Sequence, residues 1–108
     1  MLIPMLAEHV RLIRDGRKTA TLRSCKEIYP LGLNELHDGT RIFLTSRTLV
    51  EVGEEGIQNL DTPSRPIDAT ALAVQEGYSR WHEVVRVLKR MRHRLPKEMW
   101  LYEFSVTR

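Results

Sequence analysis

The chain has 108 residues, 42% of them hydrophobic and 29% charged, with a formal net charge of +3. That length suits one small domain and leaves too little apolar area for a second core, while the composition excludes a disordered chain. The single cysteine, Cys25, excludes an intrachain disulfide and a cysteine-based zinc site, and no stretch approaches the ~20 apolar residues of a membrane helix.

Pro4 followed by Leu6, Val10 and Ile13 predicts a first helix with proline in its first turn, closed by Gly16. From Lys18 to Ser24, Thr19, Thr21 and Arg23 alternate with Ala20 and Leu22, the period of a strand with one buried face. Cys25 to Gly39 loses all periodicity around Pro30, Gly32, Asn34 and Asp38, and is expected to be a long loop of the kind that often carries function. Thr40 to Thr48 alternates as a second strand, which Leu49 to Val52 extend; Gly53 to Pro66 is a turn-rich acidic connection. Ile67 to Val74 is expected to be a further, largely buried strand.

Ser79 is a suitable N-cap for a second helix in which Trp81, Val84, Val85, Leu88 and Met91 recur at spacings of three and four. Pro96 ends it, and Trp100, Tyr102, Phe104 and Val106 define the clearest strand of the chain. Strands outnumber helices and are not regularly interleaved with them. The expected architecture is therefore α+β, a single domain over 1–108 with a small mixed sheet or partly closed barrel and two packed helices.

The charge is unevenly spread. Seven of the seventeen lysines and arginines lie between Arg80 and Lys97, opposed only by Glu83, and six more lie between Arg11 and Lys26. Clustering of this kind is the footprint of a protein that meets phosphates, the alternative being a solvated helix face. In Gly16 to Arg23 (GRKTATLR) three cations and two hydroxyls share a turn with free backbone amides. The alternative there is a helix C-cap followed by a polar strand face. The spacing of a phosphate-binding P-loop is absent.

This segment resembles the signature of ASCH domains, a branch of the PUA-like superfamily, in which a Gly-Arg-Lys-Thr turn runs into Thr-x-Arg. Gly16, Arg17, Lys18, Thr19, Thr21 and Arg23 all fit. Leu36 to Ile42 (LHDGTRI), Ala69 to Tyr78 (ATALAVQEGY) and Trp100 to Val106 resemble later family segments in the right order. The resemblance implies a small PUA-like β-barrel. It also implies hydrolysis of the amide of an acylated nucleoside such as N(4)-acetylcytidine, with Lys18, Thr21 and Glu76 as the catalytic set and no cofactor. Threonine would attack, lysine would take its proton, and Glu76 would orient the base or protonate the leaving amine. Lys18 and Thr21 lie three apart, so they converge only if Lys18 still belongs to the turn or the strand opens with a bulge.

Arg17, Thr19 and Arg23 are expected to line the site, with Tyr29 and Tyr78 available to stack on a base. Arg86, Lys89, Arg90 and Arg94 are the residues of the second helix expected to meet phosphates. Glu76 alone has a structural explanation as a carboxylate near a helix start. His9, His37, His82 and His93 lack ligand spacing, so no metal site is expected. Two other functions fit the same residues: a noncatalytic module binding single-stranded RNA, and an RNA-cleaving ASCH domain. The opening segment lacks the pattern of an export signal and the cysteine content suits a reducing compartment, so a cytoplasmic location is expected, with no membrane partner. The turn at Gly16, the stretch Val74 to Glu76 and the 25–39 loop should then surround one cleft.

Overall fold

A computed structural model describes residues 1–107. Helix α1, Ala7–Arg14, turns its one fully buried residue, Ile13, to the core. Gly16 follows at φ +75°, and Arg17 N and Lys18 N both donate to Leu12 O, at 2.9 and 3.2 Å. The positive φ suits glycine, and the returning turn carries the chain through Lys18 before strand β1 begins at Ala20–Ser24. The expected loop contains a short strand, β2, Gly32–Glu35, held partly by Asn34 Nδ2 donating to Pro30 O and Gly32 O. Strand β3 runs unbroken over Arg41–Val52, and the acidic connection carries β4, Ile57–Asn59.

One predicted element changes type. The stretch expected to be a buried strand folds as helix α2, Ala69–Gln75. Asp68 caps it, its carboxylate accepting from Thr70 N and Ala71 N, and three alanines in seven positions favour a helix over a strand. Helix α3, Trp81–Arg92, buries Trp81, Val84, Val85 and Leu88 on one stripe. Its N-cap is Arg80 rather than Ser79, and it stops at His93, whose φ of +64° is left-handed, before Pro96 is reached. Trp81 Nε1 donates to Gly53 O at 2.9 Å and fixes its start. Strand β5 is Glu98–Val106.

The strands form an antiparallel sheet in the order β1-β5-β3-β2, with β4 beside the far end of β3. The sheet is not mixed as expected; the parallel element is a single bridge between Leu2 and Glu35. It is also open, with β1 at one edge and β2 at the other, and it carries three helices rather than two. Leu44 lies opposite Phe104 but Ser46 opposite Glu103, so β3 has one extra residue there. The bulge reverses the sides: Ile42 and Leu44 enter a core with Ile3, Ile13, Tyr102 and Phe104, whereas Val50 and Val52 enter one with α2 and α3. No described helix is long and apolar enough to cross a membrane.

Candidate functional site

The cleft that matters opens against the outer edge of β1, between the end of α2, the face of α3 and the segment Pro4–Leu6. Its volume is about 330 Å³, within the range of small-molecule sites. Lys18, Thr21, Arg23, Glu76 and Tyr78 all line it. The sheet edge resolves the spacing of Lys18 and Thr21. Lys18 lies in the turn before β1, and the cleft faces the side of the strand where Leu22 N is free of β5 and donates to Glu76 Oε1 at 3.1 Å.

Lys18 is 1% exposed, Glu76 5% and Thr21 7%, so two ionisable groups and a hydroxyl are buried together. Lys18 Nζ is 3.7 Å from Glu76 Oε1 and donates to the main-chain oxygen of Glu76 at 3.3 Å. Burial lowers the Lys18 ammonium below its ordinary value, against the opposing pull of Glu76 and with help from Arg23. Burial likewise raises the Glu76 carboxyl, against Lys18 and the Leu22 amide. Both shifts favour uncharged forms. Glu76 is the C-cap of α2, and its carboxylate accepts from Leu22 N and faces Lys18 rather than the first amides of α3, so the explanation through a helix start does not account for it. Gly77, at φ +93°, turns the chain so that Tyr78 also faces the cleft, where its hydroxyl meets His9 Nε2 at 3.1 Å.

Other expected residues fall elsewhere. Arg17 is exposed and outside the lining, and Thr19 serves the framework, its N–H donating to Gln75 O. Tyr29 is buried behind the site, edge-on to Tyr102 at 5.7 Å. Arg86, Lys89 and Arg90 are exposed on the outer side of α3, where Lys89 pairs with Glu54, whereas Arg94, expected on the helix, is exposed beyond its His93 cap. Of the 25–39 loop only His37 lines the cleft.

His9, Met5, Leu6, Met91 and Arg92 also line the cleft and are not among the residues expected there. Arg92 has a legible sign: it stands four residues after Leu88, on the apolar stripe of α3, where a cation is out of place. Among the described residues no cluster of three or more histidine, cysteine or acidic side chains could hold a metal.

Fold and cleft together define a small α+β protein with a buried lysine–glutamate pair beside a strand threonine. No family model, curated protein or solved structure matches the chain.

Proposed function

We propose that the chain is an ASCH-type, PUA-like domain that hydrolyses the amide of an acylated nucleoside, of the N(4)-acetylcytidine kind. The observation that carries this is the convergence of Lys18, Thr21 and Glu76, three chemically complementary groups named from the resemblance alone, in one buried cleft. The open sheet is compatible with a partly closed relative of the barrel in that superfamily.

The buried pair explains how a lysine serves as a base near neutral pH. Transferring one proton from Lys18 to Glu76 changes no net charge and no proton count, and burial favours the uncharged pair that results. Neutral Lys18 takes the hydroxyl proton as Thr21 Oγ1 forms a bond to the carbonyl carbon of the substrate. The C–N bond then breaks, Lys18 returns the proton to the departing exocyclic nitrogen, and the acyl group stays on Thr21. A water molecule, deprotonated by the same lysine, releases the carboxylic acid and restores the threonine. The test is incubation with N(4)-acetylcytidine and, separately, with a single-stranded RNA. Release of cytidine and acetate is the expected result; intact acetylcytidine at high enzyme concentration sinks the reading.

The exposed cations on and just beyond α3 favour a second reading, a noncatalytic RNA-binding module. Replacing Arg86, Lys89, Arg90 and Arg94 with glutamine then weakens RNA binding and flattens its salt dependence, by about one unit of slope for each phosphate no longer neutralised. Unchanged binding returns these side chains to a solvated surface.

A further inference from the structure

The cleft is unevenly charged. Lys18 and Glu76 match each other at 3.7 Å, and Glu76 is the one carboxylate in the lining. Two further cations, Arg23 and Arg92, line the cleft and share a single carboxylate behind it: Glu27 Oε2 accepts from Arg23 Nη1 and Glu27 Oε1 from Arg92 Nη2, each at 3.3 Å. Glu27 is also held by the Tyr29 hydroxyl, at 3.1 Å. Glu8 and Glu83, whose charges reach Tyr78, do not line the cleft. One positive charge is therefore left over, beside walls of Val84, Val87, Leu88 and Met91 that weaken screening.

The two arginines are not equally available. Arg23 is 14% exposed and spends its terminal nitrogens on Pro4 O, Met5 and Glu27. Arg92 is 31% exposed at the rim, beside the open side chain of Met91. A guanidinium fixed at one nitrogen and open at the others is suited to a phosphate.

We propose that Arg92, held in place by Glu27, receives an anionic phosphate of the ligand, so that the cleft takes a nucleoside monophosphate in preference to the uncharged nucleoside. The volume of about 330 Å³ suits one nucleotide rather than a strand. This rests on the nucleoside reading given above.

The test is calorimetric titration of the full chain and of Arg92→Gln and Arg92→Lys with cytidine, cytidine 5′-monophosphate and inorganic phosphate at low salt. The wild type should bind the monophosphate about tenfold or more tightly than cytidine, an advantage that shrinks as salt is added. Arg92→Gln should lose the preference while keeping its affinity for cytidine, and Arg92→Lys should keep part of it. The ratio of the two affinities is a readout that general loosening of the fold does not produce. Equal binding in the wild type, or a preference that survives in Arg92→Gln, overturns the proposal. If acetylcytidine is turned over but the preference is missing, the phosphate site falls and the hydrolase reading stands. If neither cytidine compound binds yet phosphate binds through Arg92, the nucleoside reading falls and the anion site stands; no binding of any probe overturns both. Oligonucleotide binding that needs the outer cations and not Arg92 also overturns it.

Discussion

On the proposed hydrolysis Lys18 is the residue on which the chemistry turns, because a buried lysine beside a buried carboxyl is useful there only if it gives up its proton. A guanidinium does not, so Lys18→Arg should lose about 100-fold or more in kcat/KM while remaining folded. Thr21→Ser should retain part of the activity and Thr21→Ala almost none; normal turnover by Lys18→Arg would reduce Lys18 to an anchoring charge. The wild-type pH profile should be highest where the Lys18–Glu76 pair holds one proton, with a rising limb that belongs to the pair and lies below 10.5, because burial lowers the ammonium. His9 gives a stability test. Burial above all holds its imidazole below 6.5. The unfolded chain therefore takes up this proton first as the pH drops. The contribution of neutral His9 is complete above pH 6.5 and is lost as the pH falls through the lowered folded value. Melting temperatures measured from pH 7.5 to 5 should fall more steeply for the wild type than for His9→Gln, whose side chain can still meet the Tyr78 hydroxyl; parallel curves would remove His9 from the account.

At the scale of elements, the turns matter as much as the helices. A Cβ at Gly77 would meet Leu12 Cδ1 at 2.8 Å, in a backbone conformation at φ +93° that other residues adopt only under strain. Gly77→Ala should therefore cost about 1–3 kcal/mol and displace Glu76 and Tyr78. Adding Leu12→Ala should relieve the clash and leave the backbone strain, which thermal unfolding of Gly77→Ala, Leu12→Ala and the double variant resolves; no loss in Gly77→Ala would show that the turn is soft. Legibility differs from element to element. α3 is plain because Trp81, Val84, Val85 and Leu88 repeat the period of a single buried face, and β5 because Tyr102 and Phe104 repeat that of a strand, although Met99 and Leu101 bury its other face as well. α2 is misread as a strand because ATALAVQ is apolar nearly throughout, and such a short run does not distinguish a buried strand from a helix. The distinguishing signal is Asp68, whose side chain caps the first turn.

At the scale of the whole molecule, Lys18, Thr21 and Glu76 are legible as candidates through the resemblance, whereas their meeting place is not. Glu76 lies 58 residues from Lys18, and which sheet edge it covers depends on strand order and on a bulge at Thr45 that no local pattern marks. That coverage has a consequence for solubility. β1 is an edge strand, and an uncovered edge is a template for pairing with another chain. Gln75 O receives Thr19 N and Glu76 Oε1 receives Leu22 N, so the end of α2 seals the row of donors that a neighbouring molecule would otherwise engage. Glu76→Ala should therefore assemble with rising concentration, seen as growth in light scattering, while Glu76→Gln keeps an acceptor oxygen and stays monodisperse. If both variants stay monodisperse, the seal is dispensable; if the alanine variant alone assembles, the carboxylate proposed for catalysis is also what keeps one molecule from adding its edge to the next.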